Sequence, residues 1–438
     1  MLLARLGVTE VCCMSEMTEP EARAVVARAY DALQARLHEA GAIQFGEILG
    51  TMEPALQAAG YRAPHAGPMR LLVLRLDDIG DNVLMSPFLR ELRRDFPQAE
   101  IDLMVKPSVL PLVELCPYVD HVYAADGAPV PGAPMEEYLR WMRALCERVL
   151  WARRYDGCLM PRWDADELLT AILSYLCGAR ERIGYSPRVH RWREMMDRGN
   201  ETMLTRALMT PPYVVHEVEK NLYFLKALGR DVQSDRLELW LSQTDAEAAR
   251  RRLPHAAAKG YIAVAVGTRE QRKVYPVEKL AKVLEALLDV KLPFVLLGGK
   301  GEEAGARRIE KALPRGSVVN LVGRLPLRES AAIVSECRLY LGGDTGMTHV
   351  AAAKRPIVEW FAHPMDVPVS VVSLYARFFP WKANVAALRP EHALPGCEQL
   401  ERGFAEITGC HSREKAHCIA AIPPKQIAGA AQTMLRMK

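Results

Sequence analysis

Two series of short apolar runs, each alternating with amphipathic stretches, constrain this chain more than any other feature. The first series occupies residues 70–76, 100–105, 119–124 and 155–160; the second occupies 261–266, 293–297, 318–322, 338–341 and 356–361. Runs this short read as strands buried on both faces, and the stretches between them as covering helices. Residues 83–95 are one such helix, with Val83, Leu84, Phe88 and Leu92 on one side, and 276–289 is another. The pattern predicts an α/β chain with two parallel sheets. Its 438 residues exceed one ordinary core and suffice for two.

The flanking segments read differently. Over residues 20–60, Val26, Tyr30, Leu33 and Leu37 recur at helical spacing, and the Pro- and Gly-containing stretch 63–68 reads as a linker. Residues 216–228 form a helix stopped by Gly229, and 230–255 look like an interdomain connection. A last helix is expected over 424–436. The expected organisation is a helical extension and linker (1–68), an N-terminal domain (69–254), a C-terminal domain (255–420) and a closing helix (421–438) packing back on the N-terminal domain.

Half the residues are hydrophobic and a quarter charged, the balance of a soluble globular protein. A net charge of +4 is small for this length and gives no reason to expect a nucleic-acid partner. No apolar segment approaches the roughly 18 to 20 residues of a membrane-spanning helix. The first residues, broken by Arg5 and Glu10, do not read as a signal peptide. Ten scattered cysteines suit a reduced, cytoplasmic protein.

Chemistry concentrates where strands end. After the run at 338–341 come Gly342, Gly343 and the turn Asp344-Thr345-Gly346, then a helix of small residues. Backbone N–H groups, a hydroxyl and a carboxylate meet there, an arrangement suited to phosphate; an ordinary β–α turn has the same outline. After 70–76 stand Asp77, Asp78 and Asp81 around Gly80. One of them can take a proton from a hydroxyl, while a helix cap is the plainer role for each. After 261–266, Thr268 and Lys273 lie on a polar loop able to receive a leaving diphosphate. After 293–297, glycines precede Glu302, a carboxylate suited to ribose hydroxyls. No G-x-G-x-x-G follows that strand, which weakens a dinucleotide reading.

Together these stretches resemble the family 9 glycosyltransferases, the heptosyltransferases of lipopolysaccharide inner core. The residues that carry the resemblance are 71–105, VDHVYAAD (119–126), VVHEVEKNLYFLKALG (214–229), GTREQRKVYP (267–276), LLGGKGEE (296–303) and LGGDTGMTHVAAAKRP (341–356). The resemblance implies a GT-B architecture, two Rossmann-like domains facing each other across a cleft, preceded here by the helical extension. It implies inverting transfer of a heptose or similar sugar from an ADP-sugar, ADP-heptose above all, to a lipopolysaccharide-core or other glycan or glycolipid acceptor. No metal or other cofactor is required. By position, Asp81 matches the base; Lys273, Asp344, Thr345, Gly346 and His349 match donor-binding residues, with Thr268 and Glu302 beside them. A lipid-linked acceptor also implies peripheral association with the inner face of the inner membrane.

Some features depart from the family pattern. Asp77 and Asp78 stand where small hydroxyl residues are usual, so Asp78 is an acceptor-binding candidate. Residues 180–198 hold six arginines; Arg182, Arg188 and Arg191 are candidates for a phosphorylated acceptor, and a solvated loop accounts for them equally. Asp164-Ala-Asp166 looks like a metal-binding pair of another fold but precedes a helix and reads as a capping segment. Cys397, Cys410 and Cys418, with His411 and His417, form an irregularly spaced alternative for a metal, without C-x-x-C. A protein acceptor, a nucleotide-sugar-binding protein without turnover and a sugar-nucleotide epimerase are the competing functions.

Overall fold

Both apolar series become parallel sheets. The computed structural model describes residues 17–40, 44–65, 67–268, 273–393 and 418–437. The first sheet contains β1 (Arg70–Arg75), β2 (Glu100–Val105), β3 (His121–Ala124), β4 (Gly157–Met160), β5 (Glu181–Tyr185) and β6 (Arg206–Leu208), in the order β3-β2-β1-β4-β5-β6. The second contains β7 (Ile262–Ala265), β8 (Phe294–Leu297), β9 (Val318–Asn320), β10 (Leu339–Gly343), β11 (Ile357–Trp360) and β12 (Val385–Leu388), in the order β12-β11-β10-β7-β8-β9. All neighbouring strands run parallel. Each sheet is therefore doubly wound, with its strand order reversing between β1 and β4 or between β7 and β10. Ligands of such sheets bind beyond the carboxyl ends of the strands at that reversal.

Strands β5, β6 and β12 were not expected. β5 carries Glu181 and Arg182, while β6 and β12 are short and poor in β-branched residues. Pairing to an existing sheet edge overrides weak local preference.

The helices that matter for the site are α1 (Glu19–Ala40), α2 (Phe45–Ala58), α3 (Ile79–Leu84), α4 (Thr170–Leu176), α5 (Arg191–Met196), α6 (Glu217–Ala227), α7 (Gly346–Ala352) and α8 (Pro424–Arg436). The single helix expected over 83–95 is two, α3 and Ser86–Asp95. Pro87 lacks the N–H that would bond Val83 O, and the Ser86 hydroxyl donates to that carbonyl instead at 2.7 Å.

Contacts divide the chain into two units. The first comprises the described residues through Leu76, Leu92–Leu110 and Pro117–Thr210; the second comprises Asp77–Glu91, Pro111–Cys116 and the described residues from Pro211 onward. Residues 211–254, expected in the first domain, thus fold with the second sheet. There the helix Gln243–Arg251 joins the helix Leu327–Glu336 through ion pairs of its last turn and beyond, Arg250–Glu336 at 2.6 Å and Arg252–Glu329 at 3.0 Å.

In the first unit the helical extension builds the core. Val26, Tyr30, Leu33 and Leu37 of α1 are buried with Tyr61, Leu72, Leu74 and Trp151, and the Trp151 ring lies 6.0 Å from Tyr30 and 5.9 Å from Tyr61. In the second unit, α8 buries Ile427, Ala428, Ala431 and Met434 among Ile262, Val264 and Leu280. Tyr275 Oη donates to Ile422 O just before it at 2.7 Å. The expected packing of this helix on the N-terminal domain is therefore corrected: its apolar stripe completes the second core. Among the described residues, no helix is long and apolar enough to cross a membrane.

Candidate active site

The turn after β10 lies at the reversal of the second sheet. Gly342 and Gly343 end the strand because no side chain fits there. A Cβ on Gly342 would stand 2.6 Å from Tyr340 Oη, and one on Gly343 would stand 2.9 Å from Trp360 Nε1. Asp344 follows, and its Oδ2 receives Lys273 Nζ at 2.8 Å, with both side chains mostly buried. Lys273 comes from the loop after β7, across the same reversal. Thr345 takes the N-cap position of α7 without a capping bond. Its Oγ1 lies 3.3 Å from both Tyr340 Oη and Thr348 Oγ1, and Thr348 Oγ1 donates to Gly343 O at 2.6 Å. These hydroxyls brace the turn from beneath. With seven residues, α7 offers an anion its first amides rather than the field of a long helix.

The second component of the site is α3, which belongs to the same unit and packs on α7. A Cβ on Gly346 would stand 2.8 Å from Ile79 Cβ and 3.1 Å from Gly80 N; one on Gly80 would stand 2.7 Å from His349 Cδ2. Close approach of two helices through glycine is what these positions demand. Asp81 is the residue after Gly80 and is half-buried. Asp78 occupies the N-cap position of α3 but makes no side-chain cap. The fully buried Asn82 secures the turn, donating to Asp78 O at 2.9 Å and Asp77 O at 3.3 Å.

On the other side of Lys273, Glu302 lies over the strand ends. Its Cγ is 2.7 Å from the point where a Cβ on Gly267 would stand, and its Oε2 is 3.2 Å from that of Gly299. Glu303 instead pairs with Arg307 at 3.2 Å, which distinguishes the two adjacent carboxylates. Thr268 is half-buried next to Gly267. The structure thus gathers Lys273, Asp344, Thr345, Gly346 and His349, brings Ile79 and Gly80 of α3, next to Asp81 in sequence, against α7, and sets Glu302 beside Gly267.

Burial shifts the titration of two groups beneath the turn. Burial pulls the His349 ring down to about 4, with Lys273 adding to the effect and Asp344 opposing it. The ring is neutral, and its Nδ1 has no hydrogen-bond partner among the described residues. Glu359 on β11 is fully buried, and neither carboxyl oxygen has such a partner. Burial raises its carboxyl well above the usual range, with Asp344 acting in the same direction and Lys273 opposing.

The acceptor candidates divide. Arg182 lies on β5, and its guanidinium donates to Met203 O at 2.7 Å, Ala179 O at 2.8 Å and Arg180 O at 3.0 Å. These three carbonyls tie it to the fold. Arg188 and Arg191 are exposed beyond β5, Arg188 lying 3.7 Å from Glu201. Asp166 serves α4 as expected: its Oδ2 accepts from Thr170 Oγ1 at 2.8 Å and Ala171 N at 3.1 Å. Cys397, Cys410, His411 and His417 lie outside the described residues, and Cys418 is buried. Among the described residues no group of three or more His, Cys, Asp or Glu is placed to hold a metal ion.

Comparison with known proteins fits this geometry. The model of glycosyltransferase family 9 (heptosyltransferase) matches residues 146–388, more than half of the chain. The chain belongs to glycosyltransferase family 9. Lipopolysaccharide heptosyltransferase 3 of Escherichia coli is 25% identical over 286 residues, covering 64% of this chain and 80% of that protein. The family 9 glycosyl transferase from Veillonella parvula shares the fold at a TM-score of 0.66 and 18% identity, over 86% of this chain and all of that one. The E. coli ADP-heptose lps heptosyltransferase II shares it at 0.60 and 20%, over 84% and 98%.

This family 9 glycosyltransferase of the heptosyltransferase type also contains residues near the site that sequence reading left without a role. His216 caps α6, accepting from Val218 N at 3.1 Å through Nδ1 and donating to Phe379 O at 2.7 Å through Nε2. Burial pulls its ring down to about 4. Next to it, Glu217 bridges Arg377 at 2.8 Å and Lys220 at 3.2 Å, all three buried. The stretch 214–229 carries part of the family resemblance, while its buried ion network forms only when residue 377 is brought to residue 217.

Proposed function

We propose that this glycosyltransferase moves a heptose, with inversion, from ADP-heptose to a sugar of lipopolysaccharide core. The observation that carries the reading is the contact of α3 with α7 through Gly80, Gly346 and His349. It sets the Asp81 turn against the turn whose Asp344 holds Lys273. Asp81 takes the proton of the acceptor hydroxyl as its oxygen attacks the anomeric carbon. The bond from that carbon to the diphosphate breaks, and ADP departs on the opposite face with the electron pair.

Lys273 exchanges Asp344 for diphosphate oxygens as negative charge gathers on them, assisted by the Thr345 hydroxyl and the first amides of α7. Glu302, lying over Gly267, accepts from the ribose hydroxyls. A glycolipid acceptor implies that the enzyme works peripherally at a membrane surface in the cytoplasm. The lipopolysaccharide heptosyltransferase among its relatives supports the choice of sugar and acceptor.

The test is ADP release from ADP-heptose with and without a lipopolysaccharide-core acceptor, using wild type and Asp81→Asn. Acceptor-dependent release by wild type, reduced about 10²- to 10⁴-fold in the variant with ADP affinity retained, is expected. Release at the wild-type rate from Asp81→Asn would remove Asp81 as the base, and ADP binding without release on any acceptor would remove the transfer.

A further inference from the structure

A narrow pocket opens at the carboxyl ends of β4 and β5 in the first unit, lined among others by Arg162, Asp166, Tyr185, Arg193 and Asn200. The loop after β4 also borders the reversal of strand order in the first sheet, between β1 and β4, the place where ligands of such sheets bind. Two of its lining side chains are incompletely bonded. Asp166 is 5% exposed and Asn200 is 4% exposed. Asp166 Oδ1 and Asn200 Nδ2 have no hydrogen-bond partner among the described residues.

Other polar groups around them are committed. Asp166 Oδ2 serves α4, and Asp166 N donates to both carboxylate oxygens of Asp197 at 3.0 Å. Arg193 donates to Asp197 Oδ2 at 3.0 Å and to the carbonyls of Arg162 and Trp163 at 2.7 and 2.8 Å. These bonds hold the walls, and among the described residues Asp166 Oδ1, an acceptor, and Asn200 Nδ2, a donor, are left without a partner. A buried polar atom without a partner costs free energy, so such a pair in a native fold points to a missing group.

We infer that Asp166 Oδ1 and Asn200 Nδ2 form a subsite for a hydroxyl of the acceptor sugar. A hydroxyl donates one hydrogen bond and accepts others, so a single oxygen satisfies both atoms at once. The pocket takes one such arm of a sugar rather than a whole ring, and a site built this way rejects an analogue lacking the hydroxyl. The identity of the ligand as acceptor rests on the glycosyl-transfer reading; the pairing of Asp166 with Asn200 does not.

The experiment measures binding of a soluble lipopolysaccharide inner-core oligosaccharide by saturation-transfer NMR, and of ADP by calorimetry, for wild type, Asn200→Ala and Asp166→Asn. Asp166→Asn keeps an oxygen for the α4 bonds, so folding is preserved in at least one variant, and thermal melts verify it. The inference expects oligosaccharide binding weakened at least fivefold in each folded variant, with ADP affinity unchanged within twofold. The double variant should lose less than the product of the single losses, because both residues bind one hydroxyl. Unchanged oligosaccharide binding in the variants means that the pair holds only a structural water, and overturns the subsite. Absence of oligosaccharide binding by wild type overturns it as well. Loss of ADP release from ADP-heptose by wild type is a separate result and removes the transfer reading instead.

Discussion

The Cδ2 atom of His349 lies 2.7 Å from the point where a Cβ on Gly80 would stand. These residues are far apart in sequence, yet their contact brings α3 against α7. Glycine at 80 and 346 lets the backbones of α3 and α7 approach closely. The imidazole fills the space a larger residue would need.

That contact predicts the effect of adding a methyl group. Gly346→Ala forces its Cβ toward Ile79 and the Gly80 backbone, which have no flexible side-chain end to yield. We expect a loss of about 1–3 kcal/mol in stability, the usual cost of overpacking, and a fall in kcat/KM of tenfold or more because Asp81 shifts relative to Lys273. Thermal melts and steady-state kinetics measure the two effects, and wild-type values for both would refute the account of the helix contact.

Lys273 is expected to act as the fixed cation of the site. Lys273→Ala should raise the donor KM and lower kcat together, tenfold or more overall, since the charge it meets grows in the transition state. Treatment of wild type with a chelator should leave turnover within twofold. A chelator-sensitive rate restored by a divalent ion would assign the diphosphate to a metal instead.

The buried histidines set an acid limit. His216 and His349 both fall to about 4 in the folded chain from an ordinary 6.5. Between those values the unfolded chain binds more protons, so stability rises with pH. The contribution is complete above about pH 6.5 and is lost as pH falls toward 4. Each histidine accounts for on the order of 3 kcal/mol at most. Tm measured from pH 7.5 to 4.5 should fall, and His216→Asn, which keeps a capping side chain, should flatten the slope.

The N-terminal helices are expected to be indispensable. Leu33 of α1 is fully buried in the first core, so Leu33→Ala should cost about 2–5 kcal/mol by denaturant titration. A value near zero would mean that the extension is an appendage after all.

How much could be read beforehand depended on where the signal resided. Nine of the strands announce themselves as apolar runs, and the Asp344-Thr345-Gly346 turn and Lys273 stand at strand ends that periodicity alone locates. The charge of Arg182 is local information, while the carbonyls that bond it, from 179, 180 and 203, come into view only in the fold. Glu359 lies within the apolar run 356–361, and its burial without a hydrogen-bond partner among the described residues comes only from the fold. Glu302 is legible as a carboxylate after a glycine-rich strand end, while its place over Gly267 comes only from the fold.

The sequence by itself determined two parallel α/β sheets, the segments that end in polar turns and the residue types able to hold a diphosphate and take a proton. These follow from alternation, chain reversal and side-chain chemistry, all of which act over a few residues. Only the tertiary structure decided which turns meet. The pairing of Gly80 with His349, the burial of Glu359, the docking of α8 on the second core and the shared pocket of Asp166 and Asn200 depend on packing between distant segments. Such contacts are selected by the free energy of the whole fold and leave no local periodicity to read.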